Sequence, residues 1–282
     1  MKRRAGSRRR SGLIYLGGAI VGVFVLLAVL GPAVSPYDPV AVEGTSLEAP
    51  SAHHLLGTND IGQDIFSELI GGTRRSLIVA VGSSAFVMAT GVFIGIGAGL
   101  MGGGAEQAVM RVTDIFLAMP MLPILMLVAA LAGGGVLVLI LTFGFVGWPM
   151  IARIVRSQTR TLRRRGFVSA ARGFGGGFFY LIRRHLAPAL GPVIATGFAT
   201  AAAVAIFIES GLAFLGLGDP TSVSWGNVLN RALQKPGLFL SDIWTWWVLP
   251  AGLTVTLCVL GFTFVAIGLD PRFNPRSRAA RW

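Results

Sequence analysis

Charge is scarce in this chain. Of its 282 residues 13% are Asp, Glu, Lys or Arg, against 54% hydrophobic, where ordinary soluble domains carry about 25% charge. Too little polar surface is left to cover a water-facing fold, and far too much apolar surface for a disordered chain. Cysteine is nearly missing as well. Cys258 stands alone, which excludes a disulfide framework and a cysteine-based zinc site within the chain. Lysine occurs only as Lys2 and Lys235, neither in a G-x-x-x-x-G-K-[ST] run, so there is no Walker A phosphate cradle and any ATP must be bound by another subunit. No Ser-His-Asp, H-E-x-x-H or paired-carboxylate arrangement supports an enzyme. His53 and His54 have only Asp60 and Asp64 nearby, without a metal motif.

What the chain does have is long apolar runs, with a mean hydropathy of +0.72. A helix needs about 20 mostly apolar residues to cross a bilayer core. Six runs are candidates: 13–33, 77–100, 115–131, 136–151, 193–216 and 244–269. The third and fourth are short and separated only by Gly133, Gly134 and Gly135, which suits a helical hairpin. The first follows Lys2, Arg3, Arg4 and Arg8 to Arg10 but exceeds a signal-peptide core of about 7–15 residues. It reads as a retained signal-anchor helix. Pro120 and Pro123 predict a kink in the third run.

With the N-terminus placed in the cytoplasm, twenty of the 24 cations fall on the cytoplasmic side. Arg74, Arg75, Arg231 and Lys235 fall outside, with eight acids including Asp38, Glu43, Glu48, Asp60, Asp64 and Glu68. This is the positive-inside pattern. It accounts for the net charge of +12 by anionic headgroups and removes the case for nucleic acid. Gly91, Gly95 and Gly99, and Ala195, Ala199 and Ala203, form small-residue stripes; these read as tight helix packing or as a sliding surface between moving helices.

Residues 153–190 form a long basic cytoplasmic insertion. Arg153 to Leu162 extends the fourth helix. A short helix then leads to a glycine break around Gly175, Gly176 and Gly177, and a second short amphipathic helix is expected to end near Pro188. Phe167, Val168, Phe174, Phe178, Phe179 and Leu181 are too many apolar residues to leave in water. Docking into a protein groove and lying on the headgroups both fit this pattern. Arg111 and Asp114 lie three apart on one helix face, as an interfacial ion pair or a gate contact. Glu209, about 24 Å of rise into the fifth helix, either has a structural partner in the outer loop or lies on the pathway or outer gate. Trp244, Trp246 and Trp247 suggest an interfacial aromatic belt.

Several segments, in order, resemble the C-type permease subunits of dipeptide and oligopeptide ATP-binding-cassette (ABC) importers. His54 to Asp64 is similar to that group's H-x-L-G-T-D-x-x-G-R-D, and Gly72 to Leu77 to its G-A-R-x-S-L. Met110 to Pro120 resembles M-R-x-x-D-x-x-x-A-x-P. Glu209 to Gly218 with Ser224-Trp225-Gly226 resembles E-x-x-L-S-F-L-G-L-G…S-W-G, and Asp270-Pro271-Arg272 resembles D-P-R. In the cytoplasmic loop Ser169-Ala170-Ala171, Gly175, His185 and Pro188 match the EAA…G motif in spacing. Departures are Ser169 for the motif's glutamate, Ala187 for the usual Leu, Asn59 and Gln63 for an Asp and an Arg, and the extra Gly176-Gly177.

The resemblance implies an all-α integral membrane protein with six transmembrane helices and the type I importer permease fold, including a cytoplasmic coupling-helix hairpin. Its organisation is a basic tail 1–12, a first helix and extracytoplasmic segment 13–72, a permease core 73–270 with the coupling loop at about 153–190, and a basic tail 271–282. Both termini would be cytoplasmic in the inner membrane. Coupling to the ATPase is assigned to Val168, Ser169, Ala170, Ala171, Arg172, Phe174, Gly175, His185 and Pro188. Implied partners are a homologous second permease, two ATPase subunits carrying ATP and Mg, an extracytoplasmic substrate-binding protein and membrane lipid. No cofactor or metal is expected in this chain. The cargo would be a di- or oligopeptide, with nickel chelates or haem as alternatives. A stand-alone channel or secondary transporter is the rival class; it predicts inverted repeats, which the sequence lacks.

Overall fold

The computed structural model describes residues 2–175 and 177–273, with side chains from Gly12 onward except at positions 167–169, 172, 178 and 271–273. Among these residues the regular structure is helical, apart from an isolated β-bridge between Thr58 and Asp64 in the irregular segment 35–64. The helices are α1 Lys2–Val34, α2 Ile65–Met101, α3 Gly103–Ala118, α4 Met121–Ala132, α5 Val136–Arg163, α6 Gly166–Gly173, α7 Phe178–Leu181, α8 Ala187–Phe214, α9 Trp225–Leu233, α10 Ile243–Trp246 and α11 Val248–Phe273. Five helical stretches are long and apolar enough to cross a membrane, and α3 with α4 makes a sixth, broken one bent by 72°. One end of the bundle is arginine-rich. The other is capped by residues 35–64, α9 and α10.

The helix boundaries have local causes. α2 starts at Ile65, not near Leu77, because Asp64 caps it by accepting the Ser67 N–H at 2.8 Å. Two of the polar residues at the start of its apolar run are bonded within the protein: Thr73 Oγ1 donates to the Leu69 carbonyl at 2.9 Å, and Ser76 Oγ donates to Glu209 at 3.0 Å. The expected span 115–131 is in fact two helices. Met119 is extended (ψ 130°) ahead of Pro120, the conformation favoured before proline. Pro123 lies in the first turn of α4, where its missing N–H removes nothing. It does not add a second kink.

The second helix of the basic insertion does not stop near Pro188. Residues Ile182–Leu186 are π-helical, and the Ala187 N–H reaches back to the Ile182 carbonyl. This wider turn shifts the hydrogen-bond ladder just before Pro188, which lacks an N–H, and α8 continues without interruption.

α2 and α5 interlock in parallel along their length. A Cβ at Gly91 would stand 2.7 Å from Ile151 Cβ, one at Gly95 2.6 Å from the Ala152 carbonyl oxygen, and one at Gly99 2.7 Å from Thr159 Cβ. In return, Gly144 of α5 accepts the Phe86 ring and Gly82 of α2 accepts Ile140. The glycine stripe is a close-packed seam. α1 crosses α11 in the same way: a Cβ at Gly17 would be 2.7 Å from the Gly261 carbonyl, and Gly268 lies against Ile14.

At the capped end the glycines of the first motif serve the loop's folding. Gly57 (φ 69°) and Gly62 (φ 85°) adopt left-handed conformations, and a Cβ at either would overlap a backbone carbonyl, that of Glu48 or Gly44. Trp225 is fully buried, donates Nε1–H to the Leu69 carbonyl at 3.0 Å and meets Phe24 edge-on at 5.6 Å. Ser224 caps α9 through the Asn227 N–H at 3.2 Å, and Gly226 lets α9 rest on the backbone of Ser210. The tryptophans near α11 do not form an exposed belt. Trp247 is fully buried and Trp246 packs against Gly57, while Trp244 remains 37% exposed. Burying these rings fastens the cap to the bundle.

Candidate functional site

Two sites assemble from the residues that the sequence singles out, one at each end of the bundle.

At the arginine-rich end, α6, the Gly175 turn and α7 form a hairpin carried by α5 and α8. Leu181, Leu186 and Leu190 are buried with Ile96, Leu100, Val155 and Leu162, and Ala171 packs against that cluster. Beyond it, Phe174 is 93% exposed and Phe179 78% exposed. Gly175 has φ 83° with nothing near its would-be Cβ, so the backbone conformation itself, not crowding, favours glycine there. Ala170 and Pro188 are exposed, and His185 is half-buried with its ring 5.5 Å from Tyr180, edge to face. The side chains of Val168, Ser169 and Arg172 lie outside the described residues.

Asp114 does not pair with Arg111. It takes Arg153 of α5 at 2.5 Å, while Arg111 is exposed. One helical turn on, Arg156 and Arg160 both reach Glu106 of α3. Arg163 then donates to the Leu100 carbonyl at 3.0 Å, at the C-terminus of α2 where the helix dipole favours a cation. Positions 153, 156, 160 and 163 recur at helical spacing on one face of α5, so part of the charge ascribed to headgroups instead binds α5 to α3 and α2. Sequence reasoning missed Glu106, although the arginine spacing was a usable signal.

At the capped end, Glu209 of α8 is buried (3% exposed) and its carboxylate lies 3.9 Å from Arg75 Nε. Ser76 Oγ donates to it at 3.0 Å. Arg75 also donates to the Gly134 carbonyl at 2.7 Å and reaches Asp219 at 3.5 Å. Thr221 holds the Asp219 carboxyl below the usual carboxylate range through its hydroxyl and its N–H, with Arg75 adding to the effect. One guanidinium thus ties together α2, α8, the α4–α5 turn and the loop after α8. Glu209 has structural partners, but they are Arg75 and Ser76 of α2 and not a residue of the outer loop, which Arg75 alone reaches through Asp219.

A second buried cluster joins the cap to α9. Asn59 donates to Gln63 at 2.9 Å and to Glu68 at 3.2 Å, and Arg231 reaches Gln63 at 2.5 Å and Glu68 at 3.3 Å. The Asn59–Gln63 departures therefore form a neutral bonded pair, and Arg231 supplies the cation beside Glu68. His54 Nδ1–H donates to Asp64 at 3.0 Å, with the Tyr37 ring tilted against the imidazole at 4.9 Å. No group of three metal-ligating side chains occurs among the described residues.

Residues 91–279 match the family model described as the binding-protein-dependent transport system inner membrane component. This chain belongs to that family. Helix α2 from the glycine seam onward, the hairpin, Glu209 and the last span fall within the matched region. A Brucella suis protein described as a peptide permease is 34% identical over 97% of this chain and 91% of its own length. The dipeptide transport system permease protein of Bacillus subtilis is 34% identical over 92% of this chain and 82% of its own. The nickel transport system permease protein of Escherichia coli K12 is also 34% identical, over 91% of both chains. The chain is a multi-pass membrane component of a transport system, of the ABC permease type that its motifs resemble.

Proposed function

We propose that this chain is one permease subunit of an ATP-driven importer of di- or oligopeptides, working by alternating access beside a second, homologous permease. The arginine-rich end then faces the cytoplasm with both termini, and the capped end faces a substrate-binding protein. Two ATPase subunits supply ATP and Mg chemistry; this chain contributes the pathway wall and the lever. The observation that carries the reading is the hairpin. Exposed Phe174 and Phe179 project from a base of buried Leu181, Leu186 and Leu190, which continues stiffly into α5 and α8. Exposed aromatic residues on a supported hairpin suit docking in a protein groove. Closure of the partners would move this hairpin as a unit, and transport requires that it contact their two states differently.

The similarity to a nickel permease supports a second cargo. The test is uptake by the complete complex in vesicles, comparing labelled dipeptides with a nickel chelate. ATP-dependent peptide uptake supports the main reading, and uptake of the chelate alone replaces it. Transport by this chain without an ATPase would remove both.

A further inference from the structure

The arginines of the cytoplasmic insertion sort into two sets. Arg153, Arg156, Arg160 and Arg163 are consumed inside the protein by Asp114, Glu106 and the carbonyl end of α2. Arg164, Arg165, Arg183 and Arg184 are exposed at the two roots of the hairpin, and none of them meets an acid within ion-pair distance among the described residues. No Asp or Glu occurs between positions 115 and 208, so the hairpin contains no acid of its own to neutralise them. The acids of the neighbouring α3, Glu106 and Asp114, are already engaged.

Depth separates two destinations for these charges. α5 has 28 residues, about 42 Å of rise, against a hydrocarbon core of about 30 Å and about 40–45 Å including headgroups. α8 also has 28 residues. Arg164 and Arg165 follow α5, and Arg183 and Arg184 precede α8, so both pairs lie just past the ends of helices about as long as a bilayer with its headgroups is thick. The exposed Phe174 and Phe179 lie on the segment between them.

We infer that these four arginines form a cationic collar around the docking hairpin, and that the groove receiving it on the ATPase partner is rimmed by Asp and Glu side chains. This rests on the docking proposed above. Apolar residues at the centre and charges at the rim match the usual division of an interface, where rim charges govern encounter, specificity and salt sensitivity. Ser169, in place of the motif's glutamate, keeps the contact uniformly basic.

The experiment uses the full permease complex, with binding of its ATPase subunits measured from about 0.05 to 0.5 M salt in nanodiscs of neutral lipid and, separately, of anionic lipid. Wild-type binding is expected to weaken steeply with salt in both lipids. The quadruple variant Arg164→Gln, Arg165→Gln, Arg183→Gln, Arg184→Gln should lose about tenfold or more at low salt and show a flatter salt dependence. The corresponding four Arg→Lys changes should largely restore both. Equal affinity and equal salt slope for the Gln variant would overturn the collar. So would a defect seen only in anionic lipid, which would assign the charges to headgroups. A Phe174→Ser variant separates the two levels: if it binds normally, the docking itself fails, and if it binds poorly while the Gln variant is normal, only the collar fails.

Discussion

Arg75 and Glu209 stand on different long helices, α2 and α8, with 3.9 Å between Nε and the nearer carboxylate oxygen and almost no solvent at either side chain. The same guanidinium closes on the Gly134 carbonyl and on Asp219. Because each element contributes one group to a shared centre, the clasp holds the α4–α5 turn, the two helices and the following loop in one arrangement.

Breaking that pair from one side should be costly. Arg75→Leu leaves a buried carboxylate with only hydroxyl partners and is expected to destabilise the protein by about 3–5 kcal/mol. The double variant Arg75→Leu, Glu209→Leu should recover a good part of the loss, since no unpaired charge remains. Thermal unfolding of the purified chain in detergent measures both, and equal losses for the single and double variants would contradict the pairing.

Asp219 gives the clasp an acid limit. Its carboxyl is held low by Thr221 and then by Arg75. A group with a depressed folded pKa contributes stability above its unfolded value, and that contribution disappears as pH falls through the folded value. The loop after α8 should therefore be unchanged between pH 8 and 5 and loosen only below about pH 4, the unfolded carboxylate range. Asp219→Asn should abolish this acid limb. Limited proteolysis of the loop across that range is the measurement.

The α2–α5 seam predicts a contrast between two glycines on one helix. Gly95→Ala places a methyl 2.6 Å from the Ala152 carbonyl and should cost about 1–3 kcal/mol by overpacking. Gly97 has nothing within 4 Å of its Cβ position, and Gly97→Ala should be neutral or slightly stabilising. Melting temperatures of the two variants decide it.

Gly175 and Gly177 offer the corresponding contrast in the hairpin. Both have open space around the Cβ position, but only Gly175 has a positive φ. Gly175→Val should reset the turn at a cost of about 1–2 kcal/mol and uncouple ATP hydrolysis from uptake while membrane insertion continues. Gly177→Ala should transport normally. Coupled ATPase and uptake assays in vesicles check the pair.

Much of the fold was legible in the sequence. Runs of about 20 apolar residues are a local property, and so are glycines every fourth residue; the Asp64 and Ser224 caps are local too but went unread. What misled was also local in form. The second apolar run looked as if it started only at Leu77, Pro188 looked like a helix stop, and Arg111 beside Asp114 looked like an ion pair. In each case a partner from elsewhere in the chain or a small adjustment of the helix ladder overrode the neighbourhood.

The sequence by itself determined that this chain is an apolar helical bundle with a basic hairpin, because hydrophobic length and helical period are written residue by residue. Only the tertiary structure decided which arginines are bonded within the protein and which are left exposed. Arg153 finds Asp114 and Arg75 finds Glu209 through the packing register of whole helices, and at such separations along the chain no local pattern encodes the match.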